Sequence, residues 1–187
     1  MTSARPYHHG DLRRALLRGA VELIAERGPA ALSLRDLARR AGVSHAAPAH
    51  HFGDKTGLFT AIAAEGFELL AARLADGPAS LSALGGRYVA FATAHPCHFE
   101  VMFRADLLHI GDPALVEAQT RAYALLRDAI AASASAEETQ TAVLAAWSLA
   151  HGFASLANSG NLRDVLDGAD PAAFFPAIAR AAAGLAD

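Results

Sequence analysis

The sequence predicts an all-α protein built from about nine helices. Hydrophobic residues make up 53% of the 187 residues, and many of them are alanine, which favours helices and closely packed helix pairs. Apolar residues recur at the spacing of one helical face in segment after segment. Strand signals are scarce, because the sequence has no alternating Val, Ile or Thr run and no Asn-Gly hairpin turn.

The first predicted helix covers residues 11–27, "DLRRALLRGAVELIAER". Leu12, Leu16, Ala20 and Leu23 recur every three or four residues, which gives the helix one wide face for burial. Gly28 and Pro29 follow directly and are expected to end it.

A helix-turn-helix is predicted at residues 33–52. Ser33 is expected to cap its first helix, with Asp36 three residues on in place of the Glu of a usual capping box. That helix should stop at Gly42, which suits a left-handed C-cap position. After the turn "AGVS", Ser44 is expected to cap the second helix of the motif.

Pro48 lies near the start of this third helix of the chain. With Ser44 as the cap it would be the fourth helical residue, and its missing N–H would disturb only the first turn. Four residues are then expected on the open side of the helix: His45, Ala46, Ala49 and His50.

A long fourth helix is predicted to join two domains. Asp54 should cap it, and from Lys55 to about Ala75 it would span roughly 30 Å. We expect an N-terminal domain at 10–69 and a C-terminal domain at 76–187. Further helices are predicted at about 79–94, 97–108, 113–133, 137–158 and 171–186.

Charge is distributed unevenly along the chain. Residues 1–60 carry nine Lys and Arg against five Asp and Glu, a net charge of +4. The remaining residues carry seven against fourteen, a net charge of −7, so the overall −3 hides a basic N-terminal third. This asymmetry suggests a polyanion-facing head on an acidic body.

Composition favours a cytoplasmic protein. The single cysteine, Cys97, can form no internal disulfide, which suits a reducing compartment. No apolar run approaches the roughly 20 residues of a membrane span, so no membrane partner is expected. Arg18 and Glu22 interrupt the apolar segment near the N-terminus, so no signal peptide is predicted.

The stretch "LSLRDLARRAGVSHAAPAHHFGDKTGLF" resembles the DNA-binding motif of TetR-type transcriptional repressors. The resemblance covers residues 10–69, and its residues in register are Ser33, Ala38, Gly42, Val43, Ser44, His51, Phe52, Lys55 and Leu58. Two later stretches, "YVAFATAHP" and "AAWSLAHGF", resemble a TetR subgroup with a C-terminal Trp-x-x-x-His-Gly signature, here Trp147, His151 and Gly152.

The resemblance implies a homodimer that binds double-stranded operator DNA and releases it when a small molecule enters the C-terminal domain. The implied DNA-contacting residues are Ser33, Arg35, Ser44, His45, Ala46, Ala49, His50, His51 and Lys55. By the resemblance, His45 and Ala46 face base edges, whereas Ser44, His51 and Lys55 contact phosphates.

The sequence departs from the family at two positions of the third helix. Ala49 stands where the family usually has a tyrosine that holds a phosphate, and Pro48 stands where it usually has Leu. An N-terminal arm would compensate by entering the minor groove if it is flexible, and a disordered tail is the alternative; the arm comprises Arg5, Tyr7, His8 and His9.

Two groups of histidines raise the alternative of a metal site. The three within residues 45–51 have no cysteine or carboxylate to complete a ligand set. His95, Cys97 and His98 are a second candidate for a metal or a nucleophile, but catalysis would also need an orienting group. A lone cysteine is usually a small buried hydrophobe. We predict no metal and no cofactor.

A ligand cavity is predicted in the C-terminal domain, with ordinary core packing as the alternative. The candidate lining residues are Tyr88, Phe91, His95, Phe99, Met102, Phe103, Tyr123, Trp147 and His151. Trp147 and His151 lie four apart on one helix and should be neighbours. The alanine-rich segments 141–157 and 172–186 are expected to pair with copies of themselves in a two-fold interface.

The leading interpretation is a dimeric repressor that responds to a small molecule. An enzyme is not expected, because the sequence has no Gly-rich phosphate loop, no G-x-S-x-G, no H-E-x-x-H and no paired-carboxylate motif. The alternative is a helical adaptor or small-molecule-binding protein with weakened DNA affinity, which the loss of the tyrosine at Ala49 suggests.

Overall fold

A computed structural model describes residues 9–132 and 135–184, and within these ranges the chain has helices and no strand, which confirms the all-α prediction. The ten α-helices of these ranges are α1 His9–Arg27, α2 Leu34–Ala41, α3 Ala47–Phe52, α4 Lys55–Ala75, α5 Leu81–Ala94, α6 Pro96–Met102, α7 Pro113–Ala131, α8 Ala136–Asn158, α9 Arg163–Leu166 and α10 Pro171–Gly184. We call α1–α3 the head and α5–α10 the body, with α4 between them.

The body differs from the predicted helix pattern in two places. The helix predicted at 97–108 ends at Met102, because the backbone leaves helical geometry at Arg104 (φ −99°, ψ 77°) and continues as a short 3₁₀ turn. Helix α9 lies in a segment predicted to be a break. It is a single turn, which is too short to show an apolar period.

The head is built around the buried faces of α1 and α2. Leu16 of α1 and Leu37 of α2 are completely buried. The Ser33 hydroxyl accepts the Asp36 N–H at 3.1 Å, so Ser33 caps α2 as predicted. Gly42 ends α2 with φ 66°, the left-handed conformation that glycine adopts without steric cost, which confirms the predicted C-cap.

The predicted start of the third helix is wrong. Ser44 does not cap α3; its carbonyl accepts the Ala47 N–H at 3.0 Å in a turn, and Ala46 is the residue before the helix. Pro48 therefore lies in the first turn, where its missing N–H costs no intrahelical bond. A later start to α3 thus avoids the strain that a start at Ser44 would have imposed.

Helix α4 has the predicted cap and extent, Lys55–Ala75, and lies between head and body. The Asp54 carboxylate accepts the Gly57 N–H at 2.7 Å and caps the helix. The apolar face of α4 is buried along its whole length, from Leu58 to Leu74, against α1, α6, α5 and α7. Head and body consequently share one hydrophobic core, and a movement of α4 would change the packing of both.

The body packs α8 and α10 against α5, and α7 against α4. Phe175 of α10 is buried beside Gly85 of α5 and contacts the ring of Phe153 at 5.6 Å between centroids. None of the helices in residues 9–132 and 135–184 is long and apolar enough to cross a membrane.

Candidate DNA interface and ligand cavity

The open side of α3 and its preceding turn is exposed. Ser44, His45, Ala46, Ala49 and His50 all lie at the surface of the head. The left-handed turn at Gly42 ends α2, and in the following turn and α3 these five residues are exposed while Pro48 is buried. The four residues expected on the open side, His45, Ala46, Ala49 and His50, are all exposed, although α3 starts later than predicted.

Of the other predicted DNA-contacting residues, Ser33 and Lys55 have intramolecular hydrogen bonds. Ser33 both accepts the Asp36 N–H and donates its hydroxyl to the Asp36 carboxylate at 2.7 Å, so it acts as a helix cap. Lys55 donates to the Ala30 carbonyl at 3.0 Å, and its ammonium lies 5.5 Å from the Phe59 ring centroid. Arg35 is exposed, and His51 is partly buried.

Two basic side chains hold the helices of the head together. Arg40 of α2 bonds Glu22 and Glu26 of α1, at 3.0 and 2.7 Å. Arg13 of α1 lies 5.2 Å from the Phe52 ring centroid at the end of α3. These contacts join α1 to α2 and to the end of α3. Residues 5, 7 and 8 of the predicted N-terminal arm lie outside the described residues, and α1 begins at His9.

The body contains a cavity of about 920 Å³ between α4, α5, α7, α8 and α10. Leu70 and Leu74 of α4, Leu84 of α5 and Leu126 of α7 form much of its wall. The volume is within the range of small-molecule sites in proteins. Of the nine candidate lining residues, four line this cavity: Tyr88, Phe103, Tyr123 and Trp147.

The structure does not place the other five candidates on the cavity wall. Phe91 and Met102 are 2% exposed and fill the core, with Met102 against Gly66 of α4. His95 lies beside Phe91, on a shallow groove between α4 and α5. Phe99 and His151 lie behind the aromatic residues of the cavity wall and contact the rings of Tyr88 and Phe103.

Hydrogen bonds connect two residues of the cavity wall, Tyr88 and Trp147, to His151 behind the wall. The Tyr88 hydroxyl lies 2.9 Å from Nδ1 of His151, and Trp147 donates its indole N–H to the Tyr88 oxygen at 3.4 Å. Burial raises the pKa of Tyr88, so the phenol keeps its proton. Burial also lowers the pKa of His151, which favours the neutral imidazole.

The polar residues of the cavity and one partly buried pair were not expected from the sequence. Gln119 and Thr120 of α7 line the cavity one helical turn before Tyr123. The Glu65 carboxylate of α4 lies 3.1 Å from Nε2 of His98, a hydrogen bond that joins α4 to α6. This bond lowers the pKa of Glu65. Helix α4 carries two carboxylates, Glu65 and Glu68, and the sequence alone does not show which of them meets another helix.

In the parts of the chain that the structure describes, no group of three or more His, Cys, Asp or Glu is arranged to hold a metal ion. His98 is directed to Glu65, and the ring of His95 meets that of His98 edge-on at 5.7 Å. Burial raises the pKa of the Cys97 thiol, which disfavours the thiolate that nucleophilic chemistry requires.

We expect the stability of the protein to fall when the pH is lowered through the titration range of histidine. Burial lowers the native pKa of His95 and His151 from an ordinary value of 6.5. Below that value the unfolded chain binds protons that the native chain does not, so the free energy of unfolding decreases until the native pKa is passed. Glu65, whose native pKa is also lowered, loses its contribution only in more acidic solution, below its ordinary 4.5.

Urea unfolding at about pH 7.5 and about pH 5.5 measures this dependence. His151→Asn should show a smaller decrease than the natural protein over this interval. An equal decrease in both proteins would contradict the role given to His151.

Comparison with known proteins gives matches to both parts of the chain. The family model described as tetracyclin repressor-like, C-terminal domain, matches residues 81–182, and that described as bacterial regulatory proteins, tetR family, matches residues 16–62. The HTH-type transcriptional repressor Rv3405c of Mycobacterium tuberculosis is 44% identical over 57 residues, which are 30% of this chain and 30% of that protein. The match therefore spans less than a third of that relative.

Two solved structures extend the similarity over more of the fold. A protein of unknown function from Rhodococcus sp. RHA1 superposes with a TM-score of 0.76 at 35% identity, covering 95% of this chain and 96% of that one. The TetR family transcriptional regulator PfmR from Thermus thermophilus superposes with a TM-score of 0.58 at 21% identity, covering 75% of this chain and 84% of that one. The latter similarity concerns the fold alone.

Proposed function

The chain belongs to the TetR family of transcriptional regulators, and from this premise we propose that it is a DNA-binding repressor released from its operator by a small molecule. The observation that carries the proposal is the exposed side of α3, with His45, Ala46, Ala49 and His50 at the surface of a basic head. A short helix with an exposed face of this kind fits the major groove. The name of the relative Rv3405c, a repressor, supports the direction of regulation.

In this proposal His45 and His50 read base edges, and the methyl groups of Ala46 and Ala49 meet thymine methyls. Ser44, His51 and Lys55 lie beside phosphates. Lys55 can keep its bond to the Ala30 carbonyl and still offer N–H groups to a phosphate, since an ammonium has three. Ser33 and Arg35, at the start of α2, complete the surface.

We propose that residues 10–69 act as the DNA-binding unit and residues 76–187 as the dimerising unit, which binds the ligand together with Leu70 and Leu74 of α4. Support for a homodimer comes from large apolar side chains at the surface of α8 and α10: Leu144, Leu156 and Phe174. Two heads related by a two-fold axis would contact half-sites about 34 Å apart, or a multiple of that distance.

Titration of the DNA upstream of its own gene with the purified protein tests the proposal, with fluorescence anisotropy as the readout and a shuffled duplex as the control. We expect two chains per site and an affinity that falls steeply with salt, because phosphate contacts release counterions. An absence of binding at low salt would favour the adaptor or small-molecule-binding alternative.

Two single variants separate the roles of the proposed contacts. Lys55→Ala should weaken binding to all sequences alike and reduce the slope of log affinity against log salt by about 0.9, the value of one phosphate. His50→Ala should instead reduce the preference for the operator over the shuffled duplex. Arg163→Ala, which removes one exposed positive charge from the body, is the matched control. Unchanged binding by Lys55→Ala would show that Lys55 contacts no phosphate.

A further inference from the structure

The cavity of the body has a composition that restricts what it can hold. Among the described residues that line it there is no Asp, Glu, Lys, Arg or His. A charged group placed there would lose its hydration without gaining an opposite charge, which is strongly unfavourable in proteins. An uncharged ligand escapes this cost, and the leucine, alanine and aromatic wall favours one that is mostly apolar.

The polar atoms of the wall are unevenly distributed. Tyr88 is 7% exposed and lies inside, whereas Tyr123 and Trp147 are 44% and 37% exposed and lie toward solvent. The hydroxyl of Thr120 already donates to the Val116 carbonyl at 2.8 Å. Gln119, the remaining polar residue of the wall, is only partly buried, so Tyr88 is the most deeply buried polar group against which a ligand inside the cavity can be oriented.

The partners of Tyr88 determine which kind of hydrogen bond its oxygen offers. Trp147 can only donate, so the Tyr88 oxygen accepts from it. The nearest acceptor for the phenolic proton is Nδ1 of His151 at 2.9 Å. Once that proton is donated to His151, the Tyr88 oxygen retains one acceptor position and no donor for a ligand.

We propose that the cavity binds an uncharged, largely apolar small molecule whose hydroxyl or N–H donates to the Tyr88 oxygen, with His151 as the positioning residue that holds the Tyr88 hydroxyl. His151 acts through Tyr88, because it stands behind the wall and its ring is packed between Phe99 and Phe103, at 4.9 and 4.6 Å between centroids. This inference rests on the proposed function only for the consequence of binding, which is release of DNA.

The only tryptophan of the chain, Trp147, reports on the cavity directly. The probes are N-phenylnaphthylamine, its sulfonated analogue anilinonaphthalene sulfonate, and its N-methyl analogue. The three share one apolar skeleton; the second adds a negative charge, and the third lacks the N–H donor. Each is titrated into the full-length protein without DNA, and quenching of Trp147 is measured.

We expect N-phenylnaphthylamine to quench Trp147 with saturation, and the sulfonate to bind at least about 100-fold more weakly because its charge has no partner in the wall. The N-methyl analogue should bind about 2- to 12-fold more weakly than the parent, the range of one net hydrogen bond. Equal or tighter binding of the sulfonate, or no binding of the parent probe, would overturn the proposal.

Variants of Tyr88 and His151 test the hydrogen-bond arrangement. In Tyr88→Phe and in His151→Phe, the preference for the parent probe over its N-methyl analogue should fall to about one, because the oriented acceptor is lost. A purely structural effect of either variant would weaken both probes together and keep their ratio. If one variant does not fold, the probe ratio of the other still tests the hydrogen-bond arrangement. A preserved ratio in His151→Phe would show that His151 does not position the Tyr88 hydroxyl.

Addition of N-phenylnaphthylamine to the complex with DNA separates this inference from the proposed function. Binding of the probe without release of DNA would leave the ligand class intact and contradict the effector role. Release of DNA by the sulfonate and not by the neutral probe would contradict the ligand class and leave the effector role intact.

Discussion

Replacing Gly57 with alanine is expected to destabilise the protein by about 3 kcal/mol or more and to abolish DNA binding. Gly57 lies in the first turn of α4, and a Cβ added to it would overlap the carbonyl oxygen of Phe52 and lie 3.1 Å from its carbonyl carbon. Both are backbone atoms at the end of α3, so no side-chain rotation can relieve the clash.

The junction between α3 and α4 has no easy alternative arrangement. The Gly57 N–H is the group that the Asp54 carboxylate caps, so a shift of Gly57 away from Phe52 would also break the cap, which is worth about 1 kcal/mol. A shift of Phe52 would tilt α3, the helix proposed to enter the DNA groove. Stability and DNA affinity should therefore be lost together.

Urea unfolding and anisotropy titration of the Gly57→Ala variant measure the two losses. Gly111→Ala is the matched control, since a Cβ at Gly111 meets nothing within 4 Å and its φ is not positive. The control should stay within about 0.5 kcal/mol of the natural protein. A Gly57→Ala protein with natural stability and natural DNA affinity would contradict the packing of α3 on α4.

The need for glycine at this position could not have been predicted from the sequence. Gly57 interrupts no period and precedes no proline, so it looks like a weak helix residue near a cap. Ser33, Gly42 and Asp54 were predictable because each acts on backbone within three or four residues of itself. The demand on Gly57 comes from the angle between α3 and α4, which depends on the packing of the whole head.

The wrong start of α3 has a similar cause. Ser44 is a good N-cap by type, and local preference alone favours a helix that starts there. Pro48 made that start costly, and the structure resolves the conflict with a turn from Ser44 to Ala47 before the helix begins. The exposure of His45, Ala46, Ala49 and His50 was still predictable, because the later start of α3 leaves these residues at the surface.

In the body, the periodicity of apolar residues predicted the helices. It could not distinguish apolar residues that pack in the core from apolar residues that line the cavity. Phe91 and Phe103 are both aromatic residues on apolar segments, yet the first fills the core and the second lines the cavity. Gln119 was missed because a single amide on a helix with other polar residues carries no signal of its own. Only the placement of α7 against α4 brings it to the cavity.

Because Phe91 fills the core and does not line the cavity, Phe91→Ala should lower the free energy of unfolding by about 3–5 kcal/mol. Below the unfolding transition, the affinity for N-phenylnaphthylamine should not change. Phe91 is 2% exposed, so truncation leaves a void in a core that can collapse only partly. Its ring packs on His95 and lies away from the cavity wall. A domain of this size commonly has about 5–15 kcal/mol of stability, so most of the variant should remain folded.

Phe103→Ala should show the reverse pattern. Phe103 is only partly buried and lines the cavity beside Trp147, at 6.1 Å between ring centroids. Its truncation should cost less stability than that of Phe91 and should weaken the probe about tenfold, because the probe loses one apolar wall. Urea unfolding and Trp147 quenching measure both quantities on each variant. If Phe91→Ala weakens the probe as much as Phe103→Ala does, the assignment of Phe91 to the core is wrong. Truncation of a core residue away from the cavity wall should not alter the space that the probe occupies.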